Sequence, residues 1–161
     1  MSLLDWWFLQ IDRLMARLYP SQPNMPTPTP ETPLEPESGQ IKPTIQAFCN
    51  AIAIYEGGPG DANHRNNNPG NCRFSPVGYL PMYEPVKESP AGFAIFKDWD
   101  TGMLYLVNMI KARIHLHPNQ TILQFMEVYS PYSDGNDPVK YADYLAKQLG
   151  VDNSFLMKNL V

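Results

Sequence analysis

Hydrophobic and polar positions divide the chain into three segments of different character. In the first, residues 1–19, apolar side chains recur at alternating steps of four and three: Leu4, Phe8, Ile11, Met15 and Leu18. This spacing predicts an amphipathic helix of about four or five turns. We expect this helix to dock onto a protein partner, with packing onto its own domain as the alternative. A lipid surface is disfavoured because the polar face mixes acidic with basic residues.

The second segment, residues 20–43, is dominated by proline. It holds eight of the 17 prolines, together with three glutamates. Such a composition buries too little apolar surface to offset the entropy of ordering, and proline favours extended polyproline II geometry. We therefore predict a stiff, Pro-rich linker between the first helix and a folded domain formed by residues 44–161.

The third segment begins with IQAFCNAIAIYE, a run that is apolar on nearly all sides. This pattern predicts a buried central helix, which ends where Gly57 and Gly58 supply backbone freedom. Short extended pieces follow at residues 71–74 and 92–96. We predict that these two pieces pair in a small antiparallel sheet.

Capping residues predict two helices after the sheet. The first should begin at Asp100 or Thr101, either of which can accept a hydrogen bond from the first turn. The second should begin after Thr121 and end near Tyr129. The buried face of the first helix is marked by apolar residues at helical spacing: Met103, Leu104, Val107, Ile110 and Ile114.

A third helix should open at Asp137 and Pro138 and stop at Gly150, since proline suits the first helical position and glycine the position after the last. Asp152 or Asn153 can start a final short turn. The predicted fold class is therefore mainly α, of the α+β type, with one small antiparallel sheet.

Composition and charge narrow the class of partner. The formal net charge is −4 and the pI about 5.3, so there is no basic field to hold a polyanion and nucleic acid is disfavoured. No apolar run approaches the roughly 20 residues of a membrane-spanning helix. The N-terminus lacks the basic start and cleavage site of a secretory signal peptide, so export by the general pathway is not expected.

Glu56 is the residue whose chemistry most needs explaining. It lies four residues after Ile52 and eight after Phe48, so it shares the helix face that carries the core. A carboxyl group there loses water, and this desolvation raises its pKa. Such an acid suits protonation of a glycosidic oxygen. The alternative is a helix-end residue that faces water or pairs with Arg65.

Four stretches of the sequence resemble the lysozyme-like domains of phage virion and prophage proteins: IYEGG, HRNNNPGNCRF, GFAIFKDWDTGMLYL and YSPYSDGNDPVKYADYLAKQLGV. The resemblance covers residues 45–151. It implies a lysozyme-like fold, a peptidoglycan glycan strand as substrate, cleavage of the MurNAc-GlcNAc β-1,4 bond and a virion-associated location. Glu56 matches the catalytic acid of that superfamily. Cys72 replaces the usual leucine, and residues 75–91 form a proline-rich insertion.

Hydrolysis by this class of enzyme requires a second carboxylate, about 5 Å from the acid for retention or roughly 6.5 to 9.5 Å for inversion. Asp61 is the nearest candidate in the sequence, and Asp134 and Asp137 are alternatives on a later loop. A lytic transglycosylase needs no second carboxylate, because a hydroxyl of the substrate attacks. We slightly favour the transglycosylase over the muramidase.

Side chains near Glu56 in the predicted fold are candidates for binding sugar. Asn66, Asn68 and Asn71 offer amide donors and acceptors that suit N-acetyl groups and hydroxyls, although asparagine also shapes turns. Tyr129 and Tyr132 can stack on sugar rings, although aromatic residues at a helix end also serve as core.

Other chemistries receive less support. His115 and His117 are two residues apart and fall on different helix faces, and with His64 they make no recognisable zinc motif, so we expect neither metal nor cofactor. Cys49 and Cys72 should be reduced and buried, and no pattern around them orients a Cys-His nucleophile. The main rival is a non-catalytic lysozyme-like module that binds glycan or another virion protein.

Overall fold

A computed structural model describes residues 43–76 and 78–161. The predicted docking helix and nearly all of the predicted linker lie outside the described residues. In chain order the elements are α1 (Ile45–Glu56), α2 (Ala62–Arg65), β1 (Lys87–Glu88), β2 (Ala94–Ile95), α3 (Trp99–Leu116), α4 (Ile122–Tyr129) and α5 (Pro138–Leu149), with 3-10 turns at Tyr132–Asp134 and Met157–Leu160. The described residues thus form a mainly helical α+β structure with a two-stranded antiparallel sheet.

Helix α1 has the bounds that the sequence predicted. Thr44 caps its start by accepting a hydrogen bond from the Ala47 amide, and the chain leaves the helix at Gly57, whose φ is 144°. The prediction that α1 is buried on nearly all sides is wrong, because the Ile54 side chain is 67% exposed and Tyr55 is 37% exposed. Apolar composition does not reveal which face the neighbouring helices leave open.

The core forms where α1 packs against α3 and α5, and where α4 packs against α5. Phe48 of α1 meets Phe125 of α4 edge to face, with ring centroids 5.8 Å apart. Ile52, Leu106 and Leu145 are fully buried around this pair. This packing fixes the C-terminal end of α1, and therefore Glu56, relative to α5.

The sheet differs in part from the prediction. Residues 92–96 contribute β2 as expected, but its hydrogen-bonded partner strand is β1, which lies inside the proline-rich insertion. The predicted pairing of residues 71–74 with residues 92–96 is confirmed. Arg73 and Phe93 form an antiparallel bridge, and the Phe74 and Ala94 amides donate to the Gly92 and Cys72 backbone oxygens at 2.9 and 3.0 Å. Strand β1 was missed because strand pairing depends on contacts distant in sequence, which a local pattern does not encode.

Most predicted helix boundaries are confirmed. Thr121 forms a capping box with Gln124 at the start of α4, and Asp137 caps α5 ahead of Gly150 at its end. The cap of α3 was predicted wrongly: it is Asp98, whose carboxylate accepts a 2.7 Å hydrogen bond from the Thr101 amide.

The predicted final turn begins later than expected, at Met157. Among the described residues, no helix combines the length and apolar character needed to cross a bilayer.

Candidate active site

An open cleft lies beside the C-terminal end of α1, with a volume of about 320 Å³. Five parts of the chain form its walls: the end of α1, the loop at residues 70–73, Phe93 just before β2, the end of α4 with the turn after it, and the start of α5. Cavities of this size accommodate small ligands or part of a polymer. Glu56 lines this cleft.

The Glu56 carboxyl group is held from two sides. Its Oε1 accepts a 2.7 Å hydrogen bond from the Tyr141 hydroxyl, and its Oε2 accepts a 2.9 Å bond from the Asn71 side-chain amide. Arg65, the alternative partner considered from the sequence, instead donates to the backbone oxygen of Gly60. No residue in the described part of the chain forms a salt bridge with Glu56.

Burial raises the pKa of Glu56 above its ordinary value of 4.5. The hydrogen bonds from Tyr141 and Asn71 oppose this shift, since both stabilise the charged form, but desolvation is the larger effect. The direction agrees with the argument from the apolar helix face. The result is a carboxyl group that retains its proton at higher pH than an exposed glutamate would.

Tyr141, on α5, was not foreseen as a site residue. Its ring is 2% exposed and stacks on Tyr55 with centroids 3.8 Å apart. Burial raises the pKa of Tyr141 well above the ordinary range, so the hydroxyl remains a donor to Glu56. Because 85 residues separate Tyr141 from Glu56 in the sequence, no local pattern indicated their contact.

Asn71 lines the cleft, and its side chain points toward the carboxyl group of Glu56. Its backbone has a positive φ of 45°, a conformation that asparagine tolerates better than most residues. The amide nitrogen donates to Glu56, and the buried Oδ1 has no hydrogen-bond partner among the described residues. Asn71 therefore orients the carboxyl group of Glu56.

The structure does not support Asn68 as a ligand for sugar. Its side chain is 1% exposed, and its amide nitrogen donates to the backbone oxygens of Cys72 and Ala94, at 2.8 and 2.9 Å. Its Oδ1 accepts from the Cys72 amide. Asn68 thus joins the loop to β2. Asn66 also lies outside the cleft lining, and its backbone oxygen accepts from the Phe96 amide at 2.9 Å.

Asp61 does not line the cleft. The structure therefore does not support the prediction that Asp61 is the second carboxylate. Its Oδ2 accepts a 2.8 Å hydrogen bond from the Gly58 amide and stabilises the turn after α1. The residue is exposed and does not line the cleft. Asn63, which is fully buried, supports the same turn by donating to the backbone oxygens of Ala53 and Gly57.

Two other carboxylates do line the cleft with Glu56. Asp134 ends the 3-10 turn after α4, and Asp137 caps α5 by accepting a 3.0 Å hydrogen bond from the Lys140 amide. Both are exposed. The alternatives weighed from the sequence are therefore better placed than Asp61, although Asp137 already has a structural role.

Of the two predicted tyrosines, only Tyr129 lines the cleft. Its ring packs parallel to Phe125, with centroids 5.3 Å apart, and its hydroxyl donates to the Gly70 backbone oxygen. Tyr129 thus forms a fixed wall rather than a free stacking surface. Tyr132 is 64% exposed and lies outside the cleft lining. Tyr55 is an aromatic residue of the cleft that the sequence prediction missed.

Within the described part of the chain, one cation lines the cleft, Arg73. Its guanidinium carbon lies 4.7 Å from the centroid of the Phe93 ring, and its Nη1 donates a 3.2 Å hydrogen bond to the Ala91 backbone oxygen. The backbone bridge between Arg73 and Phe93 keeps the two side chains on adjacent segments. The guanidinium group is therefore fixed in position at the cleft while its side chain stays exposed.

The cysteines and histidines do not form a reactive centre. Cys49 and Cys72 are free and buried, and desolvation raises the pKa of each thiol to about 12. Both are thus protonated and poor nucleophiles at neutral pH. His64 stacks on Trp99, with ring centroids 4.4 Å apart. No cluster of three or more His, Cys, Asp or Glu residues in the described ranges could hold a metal ion.

Comparisons of the chain with models of known protein families, with curated proteins and with solved structures found no match.

Proposed function

We propose that this protein cleaves the MurNAc-GlcNAc β-1,4 bond of peptidoglycan, with Glu56 as general acid. The observation that carries the proposal is a carboxyl group with a raised pKa in an open cleft, fixed by Tyr141 and Asn71 and free of any salt bridge to a described residue. The lysozyme-like identity of the fold and the virion-associated location remain part of this proposal, since both depend on the sequence resemblance.

The proposed first step is proton transfer from Glu56 to the glycosidic oxygen. A sugar alkoxide is too basic to leave unaided, so protonation is required as the bond to C1 of MurNAc breaks. Each carboxyl oxygen accepts one hydrogen bond from the protein. A carboxyl oxygen has two lone pairs, so it can hold the acidic proton with one and accept the hydrogen bond with the other. The O–H group can therefore still be directed at the substrate.

Two routes complete the reaction, and we favour the transglycosylase. In that route the glycosidic bond breaks first, with the Glu56 proton leaving on O4 of GlcNAc. The C6 hydroxyl of MurNAc then attacks C1, the Glu56 carboxylate takes up the hydroxyl proton, and a 1,6-anhydro ring closes. In the muramidase route water attacks instead, assisted by a second carboxylate. Asp134 and Asp137 are the cleft residues that could serve in this route.

The test compares wild type with Glu56→Gln on purified peptidoglycan, by turbidity loss and zymography. General acid catalysis contributes about 100-fold to 10,000-fold, so the variant should lose nearly all clearing activity. Asp61→Asn is the matched control, because Asp61 is an exposed carboxylate outside the cleft. Mass spectrometry of the fragments then separates the routes, since only the transglycosylase leaves anhydro ends.

A non-catalytic module that binds glycan or another protein is the second candidate. It is favoured by one observation: both Glu56 oxygens already accept hydrogen bonds from the protein, as a purely structural carboxylate would. In that case neither wild type nor Glu56→Gln clears peptidoglycan. Equal clearing by both would instead contradict the role of Glu56 as acid.

A further inference from the structure

We infer that Arg73 is a specificity residue that binds a carboxylate carried by the muramic acid unit of the substrate. This inference rests on the proposed function, because it names a subsite within the same cleft. The carboxylate can be the lactyl group of MurNAc itself or an acidic group of the peptide attached to it. Both present the same chemistry to a guanidinium group.

The first support is the fixed position of Arg73. Three restraints act on this residue: the backbone bridge to Phe93, the guanidinium group over the Phe93 ring at 4.7 Å, and the hydrogen bond from Nη1 to the Ala91 oxygen. A long, flexible side chain held in this way has lost much of its conformational entropy before any ligand arrives. It is thus pre-organised for binding.

The second support is the unused charge of this side chain. Arginine has five N–H donors in a planar fork, and the hydrogen bond to Ala91 uses one of them. No carboxylate within residues 43–76 and 78–161 forms an ion pair with Arg73. The remaining edge of the guanidinium group can therefore make the bidentate contact with a carboxylate that arginine favours.

The third support is the charge of the cleft. Its other charged residues are the acids Glu56, Asp134 and Asp137, so an anionic substrate would meet repulsion along much of the wall. Among the described residues that line the cleft, only Arg73 carries the positive charge that attracts such a substrate. A neutral chitin chain has no group that requires this attraction.

The experiment measures binding in a Glu56→Gln background, where turnover cannot remove the ligand. Four ligands are compared by calorimetry: stem-bearing muropeptide chains, the same chains with the stem carboxylates amidated, glycan chains stripped of peptide so that the lactyl carboxylate is free, and neutral chitotetraose. Adding Arg73→Gln should weaken binding of at least one carboxylate-bearing ligand on the order of tenfold, with no change for chitotetraose.

The pattern of losses identifies the carboxylate. If Arg73→Gln weakens binding of the stem-bearing chains and amidation abolishes this effect, the bound carboxylate belongs to the peptide. If Arg73→Gln weakens binding of the stripped chains, the bound carboxylate is the lactyl group. Arg73→Lys should recover part of the affinity, because it keeps the charge but not the planar fork. Arg65→Gln is the control: it removes the same charge from an exposed arginine that also donates to one backbone oxygen but lies outside the cleft.

An equal loss on chitotetraose, or no loss on any ligand, would overturn the inference. Thermal unfolding of each variant shows whether a loss comes from misfolding, and Arg73→Lys retains the packing over Phe93 if the glutamine variant is unstable. Failure of the proposed function is separate, because it appears as absence of clearing by wild type even when binding depends on Arg73.

Discussion

Burial of the Glu56 carboxyl group and the two hydrogen bonds that it accepts, from Tyr141 and Asn71, together control its proton. The spacing from Phe48 and Ile52 indicated a partly desolvated carboxyl group, and burial is the main cause of its raised pKa. Tyr141 and Asn71, which hold the two oxygens, come from distant or irregular parts of the chain. Contacts of this kind are set by packing, which no local spacing encodes.

The asparagine loop shows the same limit at the scale of a single side chain. Asn68 and Asn71 are chemically identical and three residues apart, yet one is fixed inside the loop and the other lies at the acid. Their roles differ because the backbone turns at Asn71, where φ is 45°. The sequence predicts that asparagines build or line this loop, but it does not tell which of them are structural and which contact Glu56.

Replacing Tyr141 by phenylalanine tests the control of the proton. The change removes a hydrogen bond that favours the charged carboxylate, so the pKa of Glu56 should rise further. Because the protonated form is the proposed catalytic acid, the loss of activity on the alkaline side should move to higher pH. The measurement is the pH dependence of peptidoglycan clearing.

Tyr144→Phe is the control for this experiment. Tyr144 is a half-buried tyrosine that packs against Tyr55, with ring centroids 4.9 Å apart, and its hydroxyl does not bond to Glu56. The pH profile of clearing by Tyr144→Phe should match that of wild type. An unchanged or acid-shifted profile for Tyr141→Phe would contradict the role given to this hydroxyl.

At the scale of elements, the helices and the presence of a small antiparallel sheet were largely predictable, and strand β1 was not. Thr121, Asp137 and Gly150 mark helix ends through their own side chains or backbone freedom, so the information is local. Asp98 was missed as a cap because Asp100 and Thr101, close by, offer the same chemistry. The strand β1 pairs across a turn of the proline-rich insertion, and nothing within its two residues specifies a partner.

Helix α3 and the asparagine loop meet at Gly102 with no space for a side chain. A Cβ at this position would lie 1.9 Å from the Asn67 backbone oxygen and 2.8 Å from Pro69 Cδ. Alanine normally stabilises a helix by about 1 kcal/mol relative to glycine, but overpacking costs about 1 to 3 kcal/mol or more. With a clash against backbone, we expect Gly102→Ala to lower the free energy of unfolding by about 1 to 2 kcal/mol.

Urea denaturation measures this effect, and clearing activity should fall as well because the displaced loop carries Asn71. Gly58→Ala provides the matched comparison, since a Cβ there meets nothing within 4 Å. If Gly102→Ala is as stable as wild type, the close approach of helix and loop is not as described.

At the scale of the whole molecule, the raised pKa of Glu56 links folding to pH. The folded state binds this proton more tightly than the unfolded state, so the stabilisation is fully present below the ordinary pKa of 4.5. This stabilisation is lost as the pH rises from 4.5 through the raised pKa that Glu56 has in the folded state. Above that range the folded state must hold a partly desolvated charge.

Glu56→Gln removes this linkage. The melting temperature of the variant relative to wild type should therefore be higher at pH 8 than at pH 4. Other carboxylates, such as Asp98 and Asp152, titrate in both proteins and cancel in the difference. A difference that stays constant with pH would contradict the raised pKa of Glu56.

The two buried thiols have a consequence for chemical intervention. Cys72 forms part of the cleft wall, so it would be the natural anchor for an electrophilic inhibitor designed to fill that space. With a pKa of about 12 and 6% exposure, it presents almost no thiolate to such a compound. Compounds designed for this cleft should therefore rely on reversible contacts, and alkylating agents should leave both thiols of the folded chain unmodified.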